Sequence, residues 1–220
     1  MFTKILIVEK CPLCRSENTS FYYEGESREY YSCIDCGLVF VPKVFFITYK
    51  AEKIKYDQHE NLPDDLVYQD YLKQIMNPVL DRISEGDCGL DFGSGPGPTL
   101  SKMFESRGFQ TDIYDAFYAP NEVVFSKSYD FITSCEVVEH LHKPQMELDR
   151  LFSLLRSDGV LAIKTQFLPS KDEFPDWYYK RDMTHVCFFS EQCFKFLADK
   201  WNSEMVCIKP NIVLFIKILR

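Results

Sequence analysis

Two groups of residues in this 220-residue chain have types and spacings that could do chemistry: paired thiols, and a set of carboxylates and imidazoles. The thiols are Cys11-Pro12-Leu13-Cys14 and Cys33-Ile34-Asp35-Cys36-Gly37, with eighteen residues between the pairs. In each pair the i and i+3 sulfurs turn toward one point, and the spacing is that of a zinc ribbon. Four thiolates suit tetrahedral Zn²⁺ at about 2.3 Å each and leave no open position. Cys11, Cys14, Cys33 and Cys36 are therefore expected to hold a structural ion; a redox pair or two disulfides are the competing readings. Cys88, Cys135, Cys187, Cys193 and Cys207 lie in apolar runs and read as buried hydrophobes.

The second group is Glu136, Glu139 and His140, at i, i+3 and i+4, with His185 in Arg181-Asp182-Met183-Thr184-His185-Val186 as a further member. If residues 136 to 141 turn helically, the first three share a face. Such a set suits a second divalent ion (Mg²⁺, Mn²⁺ or Zn²⁺). In the alternative, Glu136 lines the pocket, Glu139 caps or pairs with Arg or Lys and His140 fills space; without a metal, His140 or His185 is the general-base candidate, because imidazole titrates in the required range.

These residues need a scaffold, and the stretch Leu90-Asp91-Phe92-Gly93-Ser94-Gly95-Pro96-Gly97 indicates which. Cys88 to Phe92 reads as a buried strand and residues 99 to 107 as a helix, so the glycines sit in a strand-to-helix turn open to close ligand approach. The loop reads D-x-G-x-G-x-G, not the G-x-G-x-x-G of dinucleotide sites. About 20 residues on, a second short strand, 110 to 114, delivers Asp115, placed to accept both hydroxyl protons of a ribose.

The loop resembles motif I of the class I S-adenosylmethionine-dependent methyltransferases. The resemblance implies that Gly93, Ser94, Gly95 and Gly97 wrap the methionine and ribose of that cofactor, with Asp91 below its amino group, Asp115 at the ribose and Glu136 on the pocket wall. Tyr129 to Ser134 followed by Cys135-Glu136-Val137-Val138-Glu139-His140-Leu141 is similar to the family's fourth-strand signature. The E-x-x-E-H run is also similar to that of the quinone-pathway and small-RNA 2′-O-methyltransferases, in which these residues bind a divalent ion. The implied fold is α/β, a Rossmann-like seven-stranded sheet whose last strand is antiparallel. Only fourteen residues separate Asp115 from Asp130, so strand three is abbreviated, and no residue is assigned to the adenine.

Three segments are expected: a zinc ribbon over 1–45, a linker and N-terminal helix over 46–84, and a cofactor-binding domain over 85–220. The ribbon is too small to fold on apolar area alone, and metal binding is expected to stabilise it by on the order of 10 kcal/mol. Within it, 19–23 and 29–32 read as a hairpin. Residues 46–64, with Tyr49, Tyr56 and His59, either cover the cofactor or simply link. Apolar spacing predicts helices over 65–83 and 144–156, a fully apolar strand from Gly159, a helix capped by Ser190, and a closing hairpin. Trp177, Tyr178 and Tyr179 are candidates for an aromatic substrate lid and equally for core or oligomer contacts.

The net charge of −8 disfavours broad binding to a phosphate backbone. No apolar run reaches membrane-spanning length, and 2–8 is too short for a secretory signal, which points to a cytoplasmic protein. The whole layout, with Trp177-Tyr178-Tyr179-Lys180-Arg181-Asp182-Met183-Thr184-His185-Val186, looks like bacterial methyltransferases of sugar and natural-product pathways. Some sugar C-methyltransferases carry a similar N-terminal zinc module, though their larger C-terminal domain is absent here. The resemblance implies methylation at an oxygen or carbon of a small metabolite, a sugar or nucleotide sugar among the candidates. Two alternatives stay open. One is an RNA- or ribosome-associated methyltransferase gripping nucleic acid through Lys10, Arg15, Lys43, Tyr22, Tyr23, Tyr30 and Tyr31; the other is a non-catalytic cofactor-binding scaffold. The oligomeric state is not legible.

Overall fold

A computed structural model describes residues 9–58, 62–208 and 211–218. His59 and the 2–8 segment considered above lie outside them. Among the described residues the strands form two sheets. The larger sheet contains β4 (Cys88–Phe92), β5 (Gln110–Tyr114), β6 (Tyr129–Cys135), β7 (Leu155–Lys164), β9 (Glu204–Ile208) and β10 (Ile212–Ile216). Their order is β5-β4-β6-β7-β10-β9, parallel from β5 to β7, with β10 antiparallel to both β7 and β9.

The period-2 alternation of strand side chains builds two cores. Leu90, Phe92, Ile132, Leu161, Ile163, Val213 and Phe215 face α4 (Pro144–Ser153) and α5 (Glu191–Trp201). Phe131, Val160, Ala162, Ile212 and Leu214 face α2 (Leu66–Leu80) and α3 (Thr99–Glu105). Covered on both faces, the central strands β4, β6 and β7 bury apolar side chains toward both helical layers, as parallel sheets require. The Asp65 side chain caps α2 by accepting from Val67 N and Tyr68 N, and Ser190 caps α5 through Cys193 N. Pro78 falls in the last turn of α2.

Two expectations are corrected. The sheet has six strands among the described residues, not seven. The residues between Asp115 and Asp130 go into an Asp115–Ala119 bridge and a 3-10 turn, Glu122–Ser126, which leaves no length for a strand with its crossover. β5 is therefore an edge, and Asp112 on it is held by Lys127 Nζ (2.7 Å) and Tyr129 Oη (2.8 Å). The helix expected over 144–156 ends at Ser153, and β7 begins at Leu155. Leu155 pairs with Tyr129 before a bulge, so sheet pairing overrides the helical spacing there.

The smaller sheet orders β1 (Thr19–Glu24), β2 (Glu29–Cys33), β3 (Val39–Phe40) and β8 (Cys187–Phe188). Its fourth strand comes from the far end of the chain: Val39 pairs with Phe188 and Phe40 with Cys187. Leu13, Leu38 and Phe40 belong to the same core as Phe188 and Phe194, so the N-terminal module packs as part of the main body. No helix among the described residues is long and apolar enough to cross a membrane.

Candidate functional site

A cavity of about 640 Å³ opens at the carboxyl ends of β4, β5 and β6, within the size range of small-molecule sites. The chain reverses from β4 into α3 there through Gly93 (φ +82°) and Gly95 (φ +64°), values that L side chains rarely adopt. At Gly93 a Cβ would also lie 2.3 Å from Val137 Cγ2, so this glycine serves the packing of two loops. Gly93 N and Ser94 N donate to Tyr114 O at 2.7 and 3.2 Å.

Asp91, 4% exposed, accepts from Thr133 Oγ1 at 3.1 Å; burial pushes its carboxyl up to about 7. Asp115 Oδ2 accepts from Gly95 N (2.9 Å), and Oδ1 accepts from Phe117 N (2.8 Å) and Tyr118 N (3.0 Å). A carboxylate offers about four lone-pair directions, so the arrangement leaves room for one further donor on Oδ2. Acceptance of both ribose hydroxyls, expected from the sequence, exceeds that capacity. Ser94 Oγ is buried at this loop without a hydrogen-bond partner. An orphaned hydroxyl beside two carboxylates suits a ligand bearing both an ammonium and hydroxyl groups.

The E-x-x-E-H run adopts a geometry other than the expected helix. Only Val138–His140 turn, as a 3-10 helix, and Glu136 takes a left-handed backbone (φ +54°) at the end of β6. A non-glycine residue held there carries backbone strain of a kind found at functional sites. Glu136 Oε1 accepts from Tyr71 Oη (2.7 Å) and Oε2 from Tyr179 Oη (2.9 Å). Tyr179 Oη also contacts Glu139 Oε1, and Thr165 Oγ1 donates to Glu139 Oε2 at 2.9 Å. Burial, then the charge of Glu136, push the Glu139 carboxyl well above the usual range. One phenol proton cannot serve two carboxylates, and a proton on Glu139 resolves the count.

His140 and His185 both line the cavity, with ring centroids 4.6 Å apart. His140 Nδ1 lies 3.2 Å from Thr184 O and His185 Nδ1 2.7 Å from Tyr179 O. A carbonyl partner places the proton on Nδ1 and makes Nε2 the basic nitrogen of each neutral ring. Glu139, His140 and His185 offer ligand atoms within 4.8 Å of one another. Glu136 is outside that set, its carboxylate turned to the two tyrosines, so three of the four residues expected around a second ion are gathered.

The cavity roof is α1 (Tyr49–Tyr56), which contributes Tyr49, Glu52 and Tyr56, so part of the 46–64 stretch lines the cavity. Tyr49 stacks on Phe117 (4.4 Å between ring centroids), and the buried Glu52 pairs with His142 Nε2 at 2.8 Å. The aromatic lid expected at 177–179 is not formed. Trp177 packs on Phe174 and Phe188, Tyr178 points to solvent, and only Tyr179 reaches the site. Tyr71, Thr165, Glu52 and His142 were missed. Tyr71 was legible only as an apolar position of α2.

Away from the cavity, Cys11, Cys14, Cys33 and Cys36 bring their sulfurs within 4.8 Å of one another. The Cys11–Cys36 and Cys14–Cys33 distances are 3.5 and 3.4 Å, close to the edge of a sulfur tetrahedron around an ion at about 2.3 Å. A sulfur hydrogen bond from Cys36 lowers the Cys11 thiol to about 6. Three buried thiols and one half-buried one, converging on a point and supported by backbone groups of the two knuckles, fit a closed metal site. Of the remaining five, Cys187 and Cys193 are buried as expected, while Cys135 lines the cavity.

A family model described as "Methyltransferase domain" matches residues 67–208, well over half of the chain. The chain belongs to this methyltransferase family. Solved structures agree at the level of fold. The 1,6-didemethyltoxoflavin-N1-methyltransferase of Burkholderia thailandensis, solved with bound 1,6-didemethyltoxoflavin and S-adenosylhomocysteine, aligns at 14% identity and TM-score 0.55, over 90% of this chain and 99% of that one. An O-methyltransferase family protein from the same organism aligns at 10% identity and TM-score 0.51, over 76% of this chain and 62% of that one. The CurJ carbon methyltransferase aligns at 12% identity and TM-score 0.45, over 71% of this chain and 59% of that one, so this methyltransferase spans under two thirds of the latter two chains. No curated protein matches the sequence.

Proposed function

We propose that this methyltransferase transfers the methyl group of S-adenosylmethionine to an oxygen or carbon of a small metabolite. The observation carrying the proposal is the convergence of the glycine turn, Asp91, Asp115 and the Glu136–His140 segment on one cavity at the switch edge of a parallel sheet. In this reading Asp91 and the Ser94 hydroxyl meet the amino-acid end of the cofactor, and one Asp115 oxygen accepts from the ribose. The cofactor supplies an already activated sulfonium methyl, so the protein's task is alignment, exclusion of water and removal of the acceptor's proton. Glu136, fixed by two tyrosines, orients the acceptor. Nε2 of His140 or His185 takes the proton.

The cavity wall carries the carboxylates Glu52, Asp115, Glu136 and Glu147, besides the buried acids Asp91 and Glu139, against Lys143 as its one lysine or arginine among the described residues. That balance favours a neutral, hydroxyl-bearing acceptor such as a free sugar over a nucleotide sugar, whose diphosphate would be repelled. It also favours a small molecule over RNA. The tyrosines considered for base stacking are spent on packing, Tyr22, Tyr23 and Tyr30 against Phe174 and Tyr31 against Phe21 and Phe40.

The thiol cluster is assigned to structural Zn²⁺. A second reading of the chemistry rests on the Glu139–His140–His185 set, which could hold a divalent ion that lowers the pKa of an acceptor hydroxyl. Calorimetry with S-adenosylhomocysteine tests the central claim: the zinc-loaded protein should bind it and not NAD, and the reverse result would end the methyltransferase reading. Turnover with any acceptor would exclude a purely scaffolding role.

A further inference from the structure

The turn that carries Tyr179 and His185 into the site is held from outside by the N-terminal module, and chiefly by one of its residues, Arg28. Arg28, between β1 and β2, is 3% exposed. Its Nη2 donates to Lys180 O (2.7 Å) and Asp182 O (2.8 Å), and its Nη1 to Met183 O (3.1 Å). Its Nε donates to Tyr30 Oη (2.9 Å), whose own proton goes to Lys180 O at 3.2 Å. The same turn donates His185 Nδ1 to Tyr179 O and accepts His140 Nδ1 at Thr184 O. The carbonyls the turn does not use to set its two imidazoles are thus largely satisfied by one guanidinium.

From this geometry we propose that Arg28 is a positioning residue for methyl transfer, through which the thiol-clustered module sets the placement of His185 and Tyr179. The proposal rests on the reading of those two residues as part of the methyl-transfer site. A buried guanidinium with its hydrogen bonds on main-chain carbonyls acts as a rigid fork, and its planar fan of donors fits a turn whose carbonyls converge. Lysine has the charge without the fork. The hairpin carrying Arg28 ends in Cys33, so the thiol cluster fixes the base of the clamp, and the β3–β8 pairing fixes the strand that follows His185.

Four histidines make the imidazole spectrum tractable. Protein labelled with ¹⁵N-histidine, with His185 assigned by His185→Gln, is compared with Arg28→Met, Arg28→Lys and the control Lys10→Ala, whose lysine pairs with exposed Glu17. In the intact protein the His185 ring nitrogens should report the Nδ1–H tautomer. Arg28→Met should average the tautomers and raise amide exchange over residues 178–186 at least tenfold. Lys10→Ala should change neither, and millimolar methylguanidinium should restore the Arg28→Met signals. If Arg28→Met does not fold, Arg28→Lys carries the test, with the same loss expected. A folded, zinc-loaded Arg28 variant with unchanged His185 resonances and exchange would overturn the proposal. S-adenosylhomocysteine calorimetry on the same samples separates the two claims: failure of the intact protein to bind sinks the methyltransferase reading and leaves the clamp measurable. Turnover by Arg28→Lys should lose about 10- to 100-fold in kcat, the cost of a misplaced reacting group, with KM for the cofactor unchanged.

Discussion

Replacing Asp115 by asparagine separates two roles that the structure gives one side chain. Asn keeps an oxygen for Phe117 N and Tyr118 N but turns an amide toward Gly95 N, where Asp115 Oδ2 now accepts at 2.9 Å. Losing one hydrogen bond to a charged, half-buried group costs about 1.5–3 kcal/mol, which should appear as a lower unfolding midpoint without ligand. Binding should weaken separately. Only one lone pair of Oδ2 remains for a ribose hydroxyl, so the variant forfeits one charge-assisted bond, about 10- to 150-fold in Kd for S-adenosylhomocysteine by calorimetry. The same count predicts that wild-type protein distinguishes the 2′-deoxy and 3′-deoxy analogues, losing affinity strongly for one and little for the other. Equal losses for both would show that Asp115 takes two hydroxyls and that the loop amide yields on binding. An Asn variant that is destabilised yet binds within twofold of wild type would confine Asp115 to holding the loop.

Three further outcomes follow. Asp91 titrates near 7 in the fold against 3.8 unfolded, so the native state binds its proton more tightly; the stabilisation this gives is full below pH 3.8 and lost as pH rises to about 7, at an ionisation cost of about 4 kcal/mol. Asp91→Asn should accordingly be more stable than wild type in urea at pH 8 but not at pH 4, while binding S-adenosylhomocysteine more weakly; a pH-independent difference would refute the buried-acid assignment. Zinc should be present at one equivalent and resist mild chelation, and Cys33→Ser should lower the midpoint of the whole protein, because β8 and the shared core tie the module to the main body; an independent low-temperature transition with an unchanged main one would contradict this. EDTA-treated enzyme should keep its activity while His140→Ala or His185→Ala loses about 10²- to 10⁴-fold with cofactor binding intact. Activity lost to EDTA and restored by Mg²⁺, Mn²⁺ or Zn²⁺ would make Glu139, His140 and His185 ligands instead.

The sequence alone determined what depends on local spacing. The glycine turn, the β4 and β5 strands around it, the Ser190 cap and the converging thiols follow from residues a few positions apart, because turn geometry, strand alternation and ligand knuckles are local constraints. The tertiary structure decided what depends on which distant backbone satisfies which group. The hairpin at 19–33 was readable, but the pairing of β3 with β8, nearly 150 residues further along the chain, was not, since two-residue strands have no period to detect. Trp177, Tyr178 and Tyr179 are three adjacent aromatics with three different fates, set by what lies beyond the turn. Glu136 and Glu139 were visible as a pair, yet their division into a carboxylate held by two tyrosines and a buried acid came from Tyr71, Tyr179 and Thr165, donors spread over three elements that meet only when the sheet closes the cavity.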